Sequence, residues 1–140
     1  MKAYLDASLV VALLTNDIFT DRAEAFLSAE TPVLVLSDYA AAEFASVVAR
    51  RVRMQELTHD EARGAFAAFD LWAPRATMRV ETSPGDIAMA ATFIRRLDLN
   101  LRTPDAVNIA ITQRTAATLA TFDMRMATNA VALGISTASI

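Results

Sequence analysis

The fold of this chain is decided by the stretch Pro32-Val33-Leu34-Val35-Leu36-Ser37-Asp38. Its four central residues are all apolar, and no polar residue alternates with them. An uninterrupted apolar run of this length is typical of a strand covered on both faces, as in a parallel sheet between helices. The proline before the run and the Ser-Asp pair after it are residues that commonly bound a strand. We therefore predict a central strand of an α/β sheet at residues 33–36.

Short strand patterns and helix patterns alternate on both sides of this run. Strands are predicted at residues 2–5, 77–81 and 118–122, and residues 135–137 are a candidate edge strand. Apolar periodicity and capping residues predict helices at residues 8–14, 20–29, 39–52, 58–71, 83–97, 103–114 and 123–133. This alternation predicts a three-layer α/β/α fold with a central, mainly parallel sheet of four to five short strands. Because the pattern contains no linker or repeat, we expect one domain over residues 1–140.

The composition excludes several classes of function. The chain has 140 residues, of which 54% are hydrophobic and 21% charged, so a disordered protein is excluded. The absence of cysteine excludes thiol catalysis and disulfides, and it suits a reducing compartment. No export signal or membrane segment is recognisable, because Asp6 interrupts the apolar N-terminal stretch. We expect a soluble, cytoplasmic protein with a formal net charge of -3, which does not by itself favour a polyanionic partner.

Two aspartates stand where predicted strands end and helices begin. Asp6 follows the strand at residues 2–5, and Asp123 follows the strand at residues 118–122. In an open α/β sheet, ligands bind beyond the carboxyl ends of the strands, so these two carboxylates are candidates for one site. Each aspartate taken alone is better explained as an N-cap, which contributes about 1 kcal/mol to a helix.

Two further acids border predicted helices. Glu43 lies inside its helix, beyond capping range, next to the face that Phe44 and Val47 are expected to bury. A carboxylate there must be paired, protonated or bound to a cation. Asp105 lies in the first turn of its helix, where the helix dipole alone would favour an anion.

The four acids together indicate a metal site. Clustered carboxylates repel one another, and a hard cation with oxygen ligands, Mg²⁺ or Mn²⁺, is their natural counter-ion. Such an ion activates water and stabilises in-line displacement at a phosphodiester. The alternative for Glu43 is an ion pair with one of the three arginines that follow it, Arg50, Arg51 and Arg53. These arginines are also candidates for contact with RNA phosphates.

The chain resembles the PIN-domain family, and specifically the ribonuclease toxins of VapBC-type toxin–antitoxin modules. The resemblance rests on four motifs in order, which are Tyr4-Leu5-Asp6-Ala7-Ser8, Ala42-Glu43-Phe44, Thr103-Pro104-Asp105-Ala106 and Leu119-Ala120-Thr121-Phe122-Asp123. Their order, their spacing and the total length agree with the family over essentially the whole chain. This resemblance implies that Asp6, Glu43, Asp105 and Asp123 bind Mg²⁺ or Mn²⁺, with the hydroxyls of Ser8 and Thr121 supporting the acids.

The same resemblance implies an activity and partners. The expected activity is metal-dependent endonucleolytic cleavage of RNA that leaves a 5′-phosphate and a 3′-hydroxyl. The expected partners are the RNA substrate, a second copy of the chain in a homodimer, and a cognate VapB-type antitoxin that occludes the acids. A catalytically silent PIN-like module that binds RNA or protein is the alternative. A phospho-acceptor domain of the receiver type is disfavoured, because the chain's one lysine is Lys2.

Overall fold

The sheet is built from four parallel strands in the computed structural model, which describes all 140 residues. The strands are β1 (Lys2–Leu5), β2 (Val33–Ser37), β3 (Thr77–Val80) and β4 (Thr118–Ala120), and their order across the sheet is β3-β2-β1-β4. The two central strands are β1 and β2, paired in parallel with Tyr4 opposite Val35. Residues 34–36 are buried, which confirms the central strand predicted from the uninterrupted apolar run.

Seven helices connect and flank the strands. They are α1 (Ala7–Leu14), α2 (Thr20–Glu30), α3 (Asp38–Arg53), α4 (His59–Ala76), α5 (Pro84–Ile94), α6 (Thr103–Arg114) and α7 (Met124–Ala132). Helix α1 packs against α2, α3 and α4, whereas α6 packs against α5 and α7. The sheet is therefore the middle layer of an α/β/α fold, as predicted. No helix is both long and apolar enough to cross a membrane.

The helix starts follow from their capping residues. The Ser37 hydroxyl accepts a hydrogen bond from the Ala40 amide at 2.9 Å and begins α3 directly after β2. Thr58 and Glu61 form the predicted capping box of α4, with reciprocal bonds of 3.0 and 3.1 Å. Because polar caps satisfy the free amides of the first turn, each strand passes into a helix over very few residues.

Several predicted extents were wrong, and α5 and β4 end early, at Ile94 and Ala120 rather than at residues 97 and 122. Helix α4 continues past residue 71 to Ala76, through Pro74, because one proline removes one helical hydrogen bond without necessarily ending the helix. Residues 135–137 form no fifth strand; they contribute one isolated parallel bridge, from Thr137 to Leu119. The turn before this bridge depends on Gly134, which has φ +79° after the end of α7.

An ion pair between a buried carboxylate and an exposed guanidinium joins α5 to α6. Asp86 is 2% exposed, and its two carboxylate oxygens accept hydrogen bonds from Nε and Nη2 of Arg114 at 2.8 and 2.9 Å. Asp86 also accepts from the Ser83 amide, and Arg114 donates to the Glu81 carbonyl, both at 2.8 Å. The pair thus fixes the start of α5, the end of β3 and the last turn of α6 relative to one another.

We predict that Asp86→Ala lowers the free energy of unfolding by about 1–2 kcal/mol, because it removes the buried carboxylate that caps the start of α5 and accepts two hydrogen bonds from Arg114. The matched control is Asp98→Ala, which removes an equally bidentate but exposed partner of Arg96. Exposed pairs contribute little, so this control should leave stability nearly unchanged. Urea denaturation of both variants checks the prediction, and equal losses would contradict it.

Candidate active site

The carboxyl ends of β1 and β4 lie side by side at one edge of the sheet. Leu5 is paired with Ala120, and the Asp6 amide donates to the Ala120 carbonyl at 3.3 Å. The next residues along the two strands, Asp6 and Thr121, are therefore adjacent. This is the crevice in which an open α/β sheet binds its ligands.

Asp6 is 3% exposed and has polar partners on both of its carboxylate oxygens. Oδ1 accepts from the Ser8 hydroxyl at 2.7 Å and from the Leu9 amide at 3.3 Å. Oδ2 accepts from the Thr121 hydroxyl at 2.9 Å, so this carboxylate joins the ends of β1 and β4. Burial raises the pKa of Asp6 to about 6, although the hydrogen bonds from Ser8 and Thr121 oppose that rise.

Glu43 enters the same region from α3. Its Oε1 accepts a hydrogen bond from Asn108 Nδ2 of α6 at 2.6 Å. Burial raises the pKa of Glu43 to about 7, and the negative charges of Asp6 and Asp105 raise it further. None of the arginines at the end of α3 pairs with Glu43; Arg51 instead donates to Asp17 at 2.7 Å. The ion-pair explanation of this carboxylate is therefore not supported.

A directed series of hydrogen bonds holds Asn108 in place. The Tyr4 hydroxyl donates to Asn108 Oδ1 at 2.6 Å, which aims the amide nitrogen of Asn108 at Glu43. Because that hydroxyl has one hydrogen, its 2.7 Å contact with Ser37 must be a bond donated by the Ser37 hydroxyl. The series runs from Ser37 through Tyr4 and Asn108 to Glu43, and its first three members are at most 1% exposed.

Asp105 is 3% exposed in the first turn of α6 and is held loosely. Its Oδ2 accepts from the Arg102 amide at 3.4 Å and lies 3.6 Å from Arg102 Nε and 3.7 Å from Arg125 Nη2. Asp123 is half-buried and is the N-cap of α7. Its Oδ1 accepts from the amides of Arg125 and Met126 at 3.0 and 3.1 Å. The capping explanations of Asp6 and Asp123 are thus correct as structural roles, and Asp105 lies in the first turn of α6, where the helix dipole favours an anion.

All four predicted acids line one cavity of about 530 Å³ at this edge of the sheet. The structure thereby brings together residues that are up to 117 positions apart in the chain, from Asp6 to Asp123. In the present side-chain conformations, no three of these carboxylates converge on one point where they could hold a metal ion. Arg50, Arg51 and Arg102 also line the cavity, so its wall carries both signs of charge.

Three of the four carboxylates keep one oxygen free of any hydrogen bond within the chain. These oxygens are Glu43 Oε2, Asp105 Oδ1 and Asp123 Oδ2, since each residue's bonds go to its other oxygen. None of the three is a fully buried atom without a partner, so each keeps some contact with solvent, the least at the buried Asp105. Three carboxylates of the cavity therefore each keep one unbonded acceptor oxygen, and Asp6 accepts hydrogen bonds on both of its oxygens.

Sequence reasoning missed Tyr4, Asn108 and Asp17. Asn108 contacts Glu43 across 65 residues and Tyr4 across 104, so no local pattern could reveal these contacts. The one available signal was spacing, because Asn108 lies three residues after Asp105 and therefore on the same helix face. Asp17 lines the acid cavity and accepts from Arg51, a pairing that joins the α1–α2 loop to α3.

Comparison with known proteins identifies the family. The model of the PIN domain matches residues 3–131, which is most of the chain. The protein therefore belongs to the PIN-domain family. No curated protein matches the sequence.

Solved structures show the same fold at low sequence identity. VapC20 of Mycobacterium tuberculosis, described as a sarcin-ricin loop cleaving toxin, superposes with a TM-score of 0.76 at 18% identity, with 99% of each chain covered. FitAcB of Neisseria gonorrhoeae gives 0.76 at 16% identity and covers 98% of this chain and 96% of the other. VapBC2 of Rickettsia felis, bound to a fragment of promoter DNA, gives 0.66 at 15% identity with 89% and 90% covered.

We predict that Tyr4→Phe lowers the free energy of unfolding by about 2–3 kcal/mol, because it leaves Ser37 and Asn108 with unpaired buried groups. The matched control is Tyr39→Phe, the same chemical change at a half-buried tyrosine whose hydroxyl makes no hydrogen bond within the chain. Chemical denaturation should show a loss in the first variant and almost none in the second. Similar losses in both would contradict the hydrogen-bond series.

We predict that the metal-free protein loses stability as pH rises from about 4 to about 8. The pKa values of Asp6 and Glu43 are raised to about 6 and about 7, so the folded state binds these protons more tightly than the unfolded state. The two protonated carboxyls stabilise the fold fully when the pH is below their pKa values in the unfolded state. This stabilisation is lost as the pH rises through their pKa values in the folded state. For the buried Asp6 this amounts to about 3 kcal/mol.

Thermal unfolding of Asp6→Asn across this range checks the prediction. The variant should unfold at a higher temperature than the unaltered chain at pH 8 and show a flatter pH dependence. Asp70→Asn, an exposed site on α4, is the control and should follow the unaltered chain. A wild-type profile that rises from pH 5 to pH 8 would contradict the assignment.

Proposed function

We propose that this protein is a Mg²⁺- or Mn²⁺-dependent endoribonuclease that acts in the cytoplasm as the toxin of a toxin–antitoxin module. The observation that carries the proposal is the cavity in which Asp6, Glu43, Asp105 and Asp123 meet at the carboxyl edge of a PIN-domain sheet. The fold shared with VapC20, a toxin that cleaves the sarcin-ricin loop, supports the same class of activity.

The donor chemistry of the cavity fits a hard divalent cation. All four acids supply carboxylate oxygens, and three of those oxygens accept no hydrogen bond within the chain. The charges of Asp6 and Asp105 raise the pKa of Glu43, which is repulsion that a cation would relieve. Since the side chains do not converge on one point, Glu43 and Asp105 would have to turn toward the ion. Asp105 is suited to this because its contacts with Arg102 and Arg125 are long.

Each side chain has a distinct part in the proposed reaction. A bound Mg²⁺ or Mn²⁺ supplies an activated water and stabilises charge at the phosphodiester. Asp6 is the fixed ligand, since Ser8 and Thr121 prevent its rotation. Glu43 is oriented by Asn108 and keeps one oxygen for the site. Arg50 and Arg102, both exposed on the cavity wall, are placed to contact phosphates of the RNA backbone.

The proposed partners are a VapB-type antitoxin and a second copy of the chain. Structures with this fold include toxin–antitoxin complexes, among them VapBC2 of Rickettsia felis and a complex from Klebsiella pneumoniae. An antitoxin segment that enters the acid cavity would block both the carboxylates and the arginines of its wall. Light scattering of the purified chain tests the homodimer, and co-purification with the product of a neighbouring small gene tests the antitoxin.

We predict that the purified chain cleaves single-stranded RNA with Mg²⁺ or Mn²⁺ and stops when EDTA is added. Asp6→Asn and Asp105→Asn should each lower the rate by about 100-fold or more, since changes to residues that merely support metal ligands already cost 10–100-fold. Asp70→Asn should cleave like the unaltered chain. The measurement is the rate of appearance of fragments with a 5′-phosphate, and undiminished cleavage by both site variants would overturn the proposal.

Thermal titration separates this nuclease from a silent binding module. An ion that binds the native state stabilises it by about 2.7 kcal/mol at 100 times its dissociation constant. Mn²⁺ should therefore raise the unfolding temperature of the unaltered chain and of Asp70→Asn, but much less that of Asp105→Asn. Absence of any shift, together with RNA binding and no cleavage, would favour the silent module.

A further inference from the structure

Two phenylalanines form a stacked pair at the mouth of the acid cavity. Phe19 comes from the loop between α1 and α2, and Phe122 follows β4 directly before Asp123. Their ring centroids are 4.5 Å apart, and the ring planes differ by 8°. Both rings are half-buried. We call Phe19 and Phe122 the aromatic pair.

The backbone on both sides of the aromatic pair is held by polar contacts. The Phe19 amide donates to Asp17 Oδ1 at 2.9 Å, and Arg51 donates to the other oxygen of Asp17 at 2.7 Å. The Phe122 amide donates to the Ser8 hydroxyl at 2.9 Å, and that hydroxyl also donates to Asp6. The backbone that carries the two rings is therefore tied to Asp17 and, through Ser8, to Asp6.

The aromatic pair separates two cavities. Both rings line the acid cavity, and both also line a second cavity of about 320 Å³ that contains Arg22. The Arg22 Cζ lies 5.4 Å from the Phe19 centroid and 5.3 Å from the Phe122 centroid. Because these distances are nearly equal, the guanidinium lies beside the stack and does not cover one ring.

We propose that the aromatic pair is a binding subsite for one unpaired nucleobase of the RNA strand, next to the phosphodiester held at the acids. This inference rests on the proposed nuclease function. A base stacks readily on an aromatic ring whatever its identity, and it can do so only when it is not paired and stacked within a duplex. Phe122 lies between Thr121, which donates to Asp6, and Asp123, so such a base would flank the cleaved bond.

Arginines on both sides of the aromatic pair suit a nucleic-acid strand on this surface. Arg22 lies in the cavity on one side of the aromatic pair, and Arg50 and Arg102 lie in the cavity on the other. All three arginines are exposed. Cations on both sides of an aromatic surface match a strand whose base stacks while its flanking phosphates lie in the two cavities.

The chain contains a matched control for this pair. Phe44 and Phe69 also stack, with centroids 5.0 Å apart, and Arg79 lies 5.8 Å from the Phe69 ring. Neither of these rings lines the acid cavity. Phe69→Leu therefore removes a stacked, half-buried ring with a neighbouring arginine at a distance from the site.

The binding test uses fluorescence anisotropy in EDTA with a 12-nucleotide RNA, single-stranded or annealed to its complement. Phe122→Leu should weaken binding of the single strand about tenfold, the usual order for one stacked base, and leave duplex binding unchanged. Phe122→Tyr keeps the ring and should restore affinity, which separates loss of stacking from misfolding. Phe69→Leu should bind both RNAs like the unaltered chain. Unchanged single-strand affinity in Phe122→Leu would overturn the proposal, as would an equal loss for both RNAs.

The kinetic test uses a single-stranded RNA that the unaltered chain cleaves. Phe19→Leu and Phe122→Leu should raise KM about tenfold with much smaller effects on kcat, while Mn²⁺ affinity measured by calorimetry stays unchanged. An effect confined to kcat would contradict a substrate-binding role.

If the unaltered chain cleaves no RNA, the nuclease function fails, yet the anisotropy experiment still decides whether the pair binds a base. Weakened antitoxin binding with unaltered RNA affinity would assign the pair to a protein partner and overturn the inference.

Discussion

Burial of the Asp6 carboxylate between two strand ends is the constraint on which the site depends. Ser8 and Thr121 donate to its two oxygens, and the same two hydroxyls accept from the backbone amides of Phe122 and Asp123. The carboxylate thus organises the loop that carries the fourth acid and one ring of the aromatic pair. Burial raises the pKa of Asp6 to about 6, so this organisation costs stability at neutral pH, as is usual for functional sites.

The acids show that structural and functional explanations of one residue are compatible. Asp6 and Asp123 are N-caps of α1 and α7, and Asp105 accepts a backbone amide in the first turn of α6. Helix starts in an α/β fold are placed at the carboxyl edge of the sheet, so a capping carboxylate already lies where ligands bind. Glu43 caps nothing, and a carboxylate inside a helix that faces other acids is the more specific signal.

The features that sequence could predict are those with a local cause. The apolar run at 33–36, the Thr58–Glu61 capping box and the acids at strand ends each express a rule that acts over a few residues, and the structure contains all of them. The predicted end of α4 was too early, because the helix continues through Pro74, whose missing amide removes only one helical hydrogen bond. The hydrogen bonds of Asn108 join residues 65 and 104 positions apart, and only the folded chain specifies such contacts.

The hydrogen bonds from Ser37 to Glu43 have a consequence for anyone who would move this site to another scaffold. The series draws one member each from β2, β1, α6 and α3, and the amide of Asn108 is held further by a bond to the Pro104 carbonyl. A graft of the four acids alone would reproduce the charges of the cavity and leave Glu43 free to rotate. A faithful transplant must carry three uncharged residues that never touch a substrate, and the scaffold must bring four separate elements into the same register.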